Sequence, residues 1–248
     1  RSALPGGTTA VQLQCRTQDV CIYKSEECSN LKKDTLKIKV SSKEELISEI
    51  TNLMYACHWQ MGGGKLDYLP ANWGSTSNYC SICNTISFDD SIKTDSALNK
   101  ISVKDIFIDL KSKKSPGSDN SMLYDMYGFN SLDSFTVKDS AGNDITADKL
   151  PPYDLAYKDG YVLANSLAKE GWLTTIISGS ASAVGAGAGI ALIFTGPPGW
   201  VIGAAALTAL AAGGGISYVI SGPGDTQYAP PMIYPNDQSI ISAQLNCK

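Results

Sequence analysis

The only histidine of the sequence stands beside a cysteine, and two more cysteines follow at a spacing that metal sites use. These residues are Cys57-His58 and Cys80-x-x-Cys83. Thiolate and imidazole groups are ligands that zinc prefers, and a Cys-x-x-Cys knuckle suits its tetrahedral geometry. Adjacent Cys and His side chains rarely bind one ion together, and a fourth ligand would have to come from the N-terminal arm. We therefore favour a disulfide over a zinc site and predict no metal ion or other cofactor.

A Cys-x-x-Cys pair also serves thiol–disulfide oxidoreductases, in which the motif opens a helix. Here residues 84–88 follow the pair, and their sequence Asn-Thr-Ile-Ser-Phe is typical of a strand. A hydrolytic triad has no visible support either, since there is one histidine and no nucleophile motif. The sequence therefore predicts that the protein is not an enzyme, with a thiol- or zinc-dependent enzyme as the remaining alternative.

Two further segments invite a ligand-binding interpretation and are better explained as turns. Gly62-Gly63-Gly64-Lys65 lacks the first glycine of a phosphate loop, and Leu66 stands where that loop needs a hydroxyl for magnesium. Asp89-Asp90 and the turn at 139–144 lack the spacing of a calcium-binding EF-hand loop. We predict that the glycines end a helix and that the acidic residues lie in solvated turns.

Seven cysteines are many for a cytosolic protein of this size and indicate an oxidising compartment. We predict two or three disulfides and an extracellular or cell-surface location. Because seven is odd, one thiol is free or pairs with another chain, and the pairing cannot be deduced from spacing. The candidates are Cys15, Cys21, Cys28, Cys57, Cys80, Cys83 and Cys247.

The charged residues are confined to part of the chain. With 20 Lys+Arg and 24 Asp+Glu the formal net charge is −4, which argues against a nucleic-acid partner. None of these charges falls within residues 171–224, a stretch that is crowded with glycine, alanine and serine. We call residues 171–224 the uncharged block.

Outside the uncharged block, helix and strand patterns alternate in a way that predicts an α+β domain. A half-exposed strand is predicted at Leu36–Val40, and Ser42 with Glu45 forms a capping box that begins a helix. Further helices are predicted to begin at Ser102 and at Ser121. Extended segments are predicted at 79–88 and around the prolines 230, 231 and 235, a hairpin at 135–145, and an amphipathic lead-in at 161–170.

The uncharged block itself predicts a helical hairpin with closely packed arms. Each arm has about 20 residues, the length that crosses a bilayer as a helix, and small residues recur at every fourth position. These rows are Thr175, Gly179, Ala183, Gly187 and Ala191 on the first arm, and Ala205, Ala209, Gly213 and Ser217 on the second. The turn between the arms is Gly196, Pro197, Pro198 and Gly199.

Three environments would stabilise such a hairpin. Glycine in a helix interior is about 1 kcal/mol less favourable than alanine, so several glycines in one arm require compensating contacts. The arms could span a bilayer, be buried between subunits of a ring, tube or filament, or be buried in the domain's own core. The sequence leaves these three open and predicts close backbone contact in each.

Two stretches of the sequence resemble a pattern found in predicted archaeal envelope proteins. They are Ala-Cys-His-Trp-Gln-Met-Gly-Gly-Gly-Lys-Leu-Asp at 56–67 and Tyr-Cys-Ser-Ile-Cys at 79–83, which leads to Phe88-Asp89. The segment 121–128 is similar to a later part of the same group, and the match covers about residues 45–130. The proteins of that group look membrane-anchored, and the resemblance implies an archaeal, outward-facing location with Cys57, Cys80 and Cys83 as a structural cluster.

The sequence thus predicts an α+β fold, a small disulfide-stabilised mixed domain with an appended hydrophobic, glycine-zipper helical hairpin. The predicted divisions are an arm at 1–34, the globular domain at 35–170, the hairpin at 171–222 and an extended tail at 223–248. The predicted function is that of a structural protein whose partners are copies of itself and possibly a lipid bilayer. The alternative is a pore-forming or membrane-remodelling protein.

Overall fold

The computed structural model describes the main chain of residues 16–25, 28, 31–60, 62–64, 78–128, 137–138, 144–145, 152–169, 190–193, 204–207, 220–221 and 226–236. Side chains are described for 16–25, 28, 31–60, 62–63, 81–128, 152–165 and 230–236. The helices are α1 Lys43–Gln60, α2 Asp90–Lys93, α3 Val103–Ser112 and α4 Met122–Tyr127. The strands are β1 Gln18–Tyr23, β2 Leu36–Lys39, β3 Asn78–Phe88, β4 Lys100–Ile101, β5 Val137–Lys138, β6 Asp144–Ile145, β7 Tyr153–Asp154, β8 Tyr161–Lys169, β9 Ile190–Ile193, β10 Ala204–Leu207, β11 Ile220–Ser221 and β12 Thr226–Pro235.

A mixed sheet forms the centre of the fold. Its five main strands lie in the order β12-β8-β3-β1-β2, and the short β11 pairs with the outer side of β12. β1 runs parallel to both β2 and β3, whereas β8 is antiparallel to β3 and to β12. Helices and strands therefore share one fold, and the predicted α+β class is confirmed.

Helix α1 connects the parallel strands β2 and β3, and its ends follow the local sequence signals. The Ser42 hydroxyl accepts a hydrogen bond from the Glu45 main chain at 3.2 Å, and the Glu45 carboxylate accepts one from the Ser41 main chain at 2.7 Å. Hydrogen bonds from Ser41 lower the pKa of Glu45. Beyond Gln60, Gly62 and Gly63 adopt positive φ angles of 75° and 62°. The predicted capping serine and the glycine terminus of this helix are confirmed.

One apolar cluster joins the helices to the sheet. Leu46 and Ile50 of α1 are buried against it, together with Ile22 of β1, Phe107 of α3 and Leu123 of α4. Each side chain of this size contributes about 1.5–3 kcal/mol to folding when it is fully buried. The cluster therefore holds α1, α3 and α4 to the sheet as one packed unit.

A polar contact also fastens α1 to α3. The Lys113 ammonium lies 2.8 Å from the Asp109 carboxylate and 2.7 Å from the hydroxyl of Thr51, which is fully buried. The same ammonium donates to the main-chain carbonyl of Ser48 at 2.8 Å. Because these groups satisfy one another at the helix contact, the buried hydroxyl is not left without a hydrogen bond.

The main sheet takes strands from both ends of the described chain. β1 lies in the predicted arm and β12 lies within the predicted tail, and both pair with strands of the predicted 35–170 domain. β8 occupies most of the predicted amphipathic lead-in. Its residues Val162, Leu163 and Ala164 are all buried, because neighbours cover both faces of the strand.

In the uncharged block the structure describes three short strands and no helix. β9 and β10 pair antiparallel, with Ala191 opposite Ala206 and Ala205 opposite Leu192. Ala191 and Ala205, two members of the predicted helical rows, thus lie in strands, and the helical hairpin is not shown by the described residues and stays a prediction. Within the described part of the chain, no helix is long and apolar enough to cross a membrane.

Candidate functional site

Two disulfides stabilise the domain. Cys57 of α1 bonds Cys83 of β3, with Cα atoms 5.5 Å apart, and Cys21 of β1 bonds Cys28, with Cα atoms 6.5 Å apart. Both Cα separations lie within the usual range for disulfides. All four of these cysteines are buried. The predicted disulfide stabilisation is confirmed at these four residues.

A β-bulge delivers Cys83 to helix α1. Ile82 pairs with Ala164 and Asn84 pairs with Leu163, so Cys83 is the extra residue in β3. A bulge changes the direction of its side chain relative to the regular alternation of a strand. The Cys83 side chain therefore departs from the alternating directions of the side chains in β3, and its sulfur reaches Cys57 of α1.

This pairing bears on both the zinc and the oxidoreductase interpretations of the cysteine motif. The sulfurs of Cys57 and Cys83 are bonded to each other, so neither can act as a thiolate ligand for zinc. Because Cys83 is bonded to Cys57, Cys80 and Cys83 do not form a disulfide with each other. Among the described residues, no group of three or more His, Cys, Asp or Glu could hold a metal ion.

A cleft of about 330 Å³ opens beside the Cys57–Cys83 disulfide, and we call it the disulfide cleft. The last turns of α1, the start of β1, the bulge of β3 and the segment that leads into β2 surround it. Its lining residues are Arg16, Thr17, Gln18, Asp19, Asp34, Leu53, Ala56, Cys57, Gln60, Cys83 and Asn84. This volume is at the lower end for pockets that bind small molecules.

Charged pairs border the mouth of the disulfide cleft. The Arg16 guanidinium lies 3.1 Å from the Asp34 carboxylate, and the Lys32 ammonium lies 2.8 Å from that of Asp19. Such exposed pairs each contribute less than about 1 kcal/mol, because water screens them. Deeper in the cleft, Asn84 is buried and supplies an amide group. The arrangement can hold a small polar group between the charges and the amide.

The single histidine does not line the disulfide cleft. His58 is buried, and its ring centre lies 6.1 Å from that of Tyr55 and 6.2 Å from that of Trp59. Gly63 packs over the same imidazole, since a Cβ there would lie 3.3 Å from its Nε2. His58 therefore belongs to the aromatic packing at the end of α1 and not to a zinc site.

Buried tyrosines form a second cluster at the start of β8. Ring centres of Tyr153 and Tyr161 are 6.0 Å apart, and the Tyr161 hydroxyl donates to the main-chain carbonyl of Asp154. Burial raises the pKa of both phenols far above the usual value. These side chains stay protonated at physiological pH and serve as packing groups.

One buried side-chain amide in the sheet has no hydrogen-bond partner among the residues that the structure describes. Asn165 of β8 is 1% exposed, and neither polar atom of its side chain is hydrogen-bonded within the described structure. The residue lies opposite Ser81 in β3, and the β12 bulge places Pro230 and Pro231 beside it. An unsatisfied buried amide destabilises a fold by about 1–3 kcal/mol.

We expect Asn165→Leu to raise the free energy of unfolding by about 1–2 kcal/mol, because leucine has the same branched shape without the polar atoms. Urea denaturation of both proteins measures the change. Asn84→Leu is the matched control and is expected to destabilise, because Asn84 lies in the polar cleft. A loss of stability in Asn165→Leu would contradict the expectation that the Asn165 amide lacks a hydrogen-bond partner.

The remaining predicted site residues are placed as follows. Cys80 lies in β3 with Ser166 opposite, and Ala191 and Ala205 lie in β9 and β10. Outside the described residues lie the other members of the predicted set, namely Cys15, Cys247, Thr175, Gly179, Ala183, Gly187, Ala209, Gly213, Ser217 and the turn Gly196, Pro197, Pro198 and Gly199.

Most residues of the disulfide cleft were not predicted from the sequence. Arg16, Gln18 and Asp34 belong to a segment without clear periodicity, and only the short run Val20-Cys21-Ile22 gives a strand signal there. The sequence places Asn84 in a strand and contains no signal that it lines a site. The lining residues come from four separate segments of the sequence, so no local motif contains them.

Comparison with protein-family models, with curated proteins and with solved structures finds no match to this chain. The structure defines its class as a disulfide-stabilised α+β protein with a mixed sheet. The resemblance to archaeal envelope proteins stays a prediction.

Proposed function

We propose that the protein is a non-enzymatic structural protein of the cell surface or extracellular space that self-assembles through its uncharged block. The observation that carries this proposal is the pairing of β8 with β12. Lys169 and Thr226 are direct partners across these antiparallel strands, so the two ends of the uncharged block are held side by side. The folded domain therefore fixes the two ends of this segment.

The composition of the uncharged block favours its association with other copies of the chain over exposure to water. Small residues let two backbones approach closely, whether they face each other as Ala191 and Ala206 do or form rows on helices. A helical, glycine-zipper arrangement of the remaining residues is part of the proposal. Copies of the same chain are the partners, because each copy supplies the same smooth surface.

The two disulfides support an extracellular address, since disulfides persist in oxidising compartments. An archaeal envelope location agrees with this address and rests on the motif resemblance alone. An unpaired cysteine among the seven would also be available to link neighbouring copies.

The test compares the whole chain with a variant in which residues 170–225 are replaced by Asn-Gly. Because Lys169 and Thr226 are direct partners, a two-residue turn closes these strands in a favoured hairpin geometry. We expect the whole chain to sediment as regular oligomers and the variant to sediment as a folded monomer. Peptide mapping must find Cys57–Cys83 and Cys21–Cys28 in both. A detergent-free whole chain that stays monomeric, or a variant that still assembles, contradicts the proposal.

A second function is favoured by the length of the uncharged block. Each side of its Gly-Pro-Pro-Gly turn has about 20 residues, which is enough to span a bilayer as a helix. Under this alternative the protein inserts the block into a target membrane and forms pores. Release of an encapsulated dye from liposomes by the whole chain, but not by the Asn-Gly variant, would support it. Intact liposomes over a wide pH range would exclude it.

A further inference from the structure

The disulfide cleft contains a buried amide whose hydrogen-bonding groups the described protein does not use. Asn84 is 6% exposed, and no hydrogen bond joins its side chain to another described residue. A primary amide offers two N–H donors and one carbonyl acceptor. Leaving such a buried group unsatisfied costs about 1–3 kcal/mol, so water or a ligand must take up its hydrogen bonds. The cleft gives either of them access to Asn84.

A second amide lies beside the first. Gln18 of β1 is the direct partner of Asn84 in β3, so the two side chains leave the sheet on the same face. Both side chains line the disulfide cleft, and that of Gln18 also has no hydrogen bond to another described residue. Two neighbouring amides can therefore donate to one bound molecule and accept from it at the same time.

The charged groups that line the disulfide cleft are already paired. The Arg16 guanidinium lies 3.1 Å from the Asp34 carboxylate, and the Asp19 carboxylate lies 2.8 Å from the Lys32 ammonium. An anionic ligand would have to compete with Asp34 for Arg16, and a cationic ligand would have to compete with Lys32 for Asp19. A neutral ligand leaves both ion pairs intact. The arrangement of charge therefore favours a neutral molecule.

One wall of the disulfide cleft is apolar. Leu53, Ala56 and Cys57 all line it from α1, and residues three or four positions apart lie on the same face of a helix. Cys83, which is bonded to Cys57, continues this wall on the side of the sheet. A ligand that fills the cleft must therefore present an apolar surface to the wall and hydrogen-bonding groups to the two amides.

The size and shape of the disulfide cleft limit the ligand to a compact molecule. Its volume of about 330 Å³ is at the lower end for small-molecule pockets. Four segments of the chain surround it, and the Gln60 side chain ties the end of α1 to the start of β1 by donating to the Arg16 carbonyl at 3.2 Å. These dimensions suit one small ring better than an extended peptide.

We propose that the disulfide cleft binds one neutral pyranose sugar. A hydroxyl group both donates and accepts, so neighbouring hydroxyls of the ring complement the amides of Asn84 and Gln18. The Thr17 hydroxyl donates to the Ile82 carbonyl at 2.7 Å, which leaves its oxygen able to accept from the sugar. The C–H face of the ring lies against the apolar wall. This inference does not depend on the uncharged block or on self-assembly.

The test measures saturation-transfer NMR of the whole chain with the methyl pyranosides of glucose, galactose, mannose and N-acetylglucosamine. At least one of these sugars should bind. Its uronic acid and its amino sugar counterpart, which are charged, should bind about tenfold more weakly or worse. At least one monodeoxy derivative should also lose about tenfold or more, because a site that bonds a hydroxyl rejects an analogue without it.

Protein variants supply the second arm of the test. Asn84→Ala and Gln18→Ala should each weaken binding about tenfold. Gln18 is exposed, so its variant tests the site without disturbing the core, and peptide mapping must find both disulfides in each variant. Asn120→Ala, at an exposed asparagine between α3 and α4, is the matched control and should bind normally.

Three outcomes would overturn the proposal. The first is that none of the four sugars binds, and the second is that the charged counterparts bind as well as the neutral sugar. The third is that Gln18→Ala affects binding no more than Asn120→Ala does. Acetamide is included as the simplest neutral amide, and stronger binding of acetamide than of every sugar would show that the cleft recognises amides instead.

Discussion

Removing the Cys57–Cys83 disulfide is expected to lower the free energy of unfolding by about 3–4 kcal/mol, measured by urea denaturation of Cys57→Ala/Cys83→Ala. The bond closes a chain segment with a sequence separation of 26 residues and ties α1 to the sheet. Without it, the unfolded chain gains conformational freedom, and the bulge at Cys83 loses its contact with the helix. The disulfide cleft, which includes both cysteines, should open as well.

The Cys21–Cys28 bond provides the matched control. Its sequence separation is only 7 residues, so its removal in Cys21→Ala/Cys28→Ala is expected to have a smaller effect of about 2 kcal/mol. The prediction is that the Cys57/Cys83 variant loses more free energy of unfolding than the Cys21/Cys28 variant. An equal or larger loss for the Cys21–Cys28 variant would show that loop closure does not govern the contribution of these bonds.

Gly160→Ala is expected to destabilise the fold by about 3–4 kcal/mol. Gly160 has a φ of +71° and lies immediately before β8. A Cβ at this position would overlap the main-chain carbonyl of Ile86 in β3, which cannot rotate away as a side chain could. The substitution must therefore separate β8 from β3 at the point where Tyr161 pairs with Ile86.

Gly117→Ala is the control that measures the effect of a positive φ alone, without a steric overlap. Gly117 has a similar φ of +76°, but a Cβ there has no atom within 4 Å. We expect a loss of about 1 kcal/mol, the ordinary penalty for an L-residue in this region. Thermal and urea unfolding of both variants provide the comparison. Similar losses would mean that the carbonyl of Ile86 moves aside without penalty.

The helices could be predicted because their signals are local. Ser102 accepts a hydrogen bond from the main chain of Asp105 at 3.0 Å, and Ser121 accepts one from Tyr124 at 3.1 Å. A capping side chain and the residues it contacts stand within one helical turn, so the sequence alone contains the whole interaction. The ends of α1, α3 and α4 follow from such contacts.

The strand order could not be predicted, because it depends on partners that are distant in sequence. β1 pairs with β3, whose partner residues lie 66 positions further along the chain. β8 is buried on both faces, so it lacks the polar alternation of a half-exposed strand. The residues that line the disulfide cleft could not be predicted for the same reason, because they are distant from one another in sequence. Cys57 and Cys83 were predicted as disulfide candidates, but their pairing and the neighbouring Arg16 and Asn84 required the sheet.

The pairing of β8 with β12 has a consequence for how the chain folds during synthesis. β8 leaves the ribosome more than fifty residues before β12, and until then only β3 can pair with it. Contacts of such long separation form slowly, and an unpaired apolar strand is prone to aggregation. Through this interval the nascent protein exposes β8 and then the uncharged block, so a chaperone or rapid export should increase its yield.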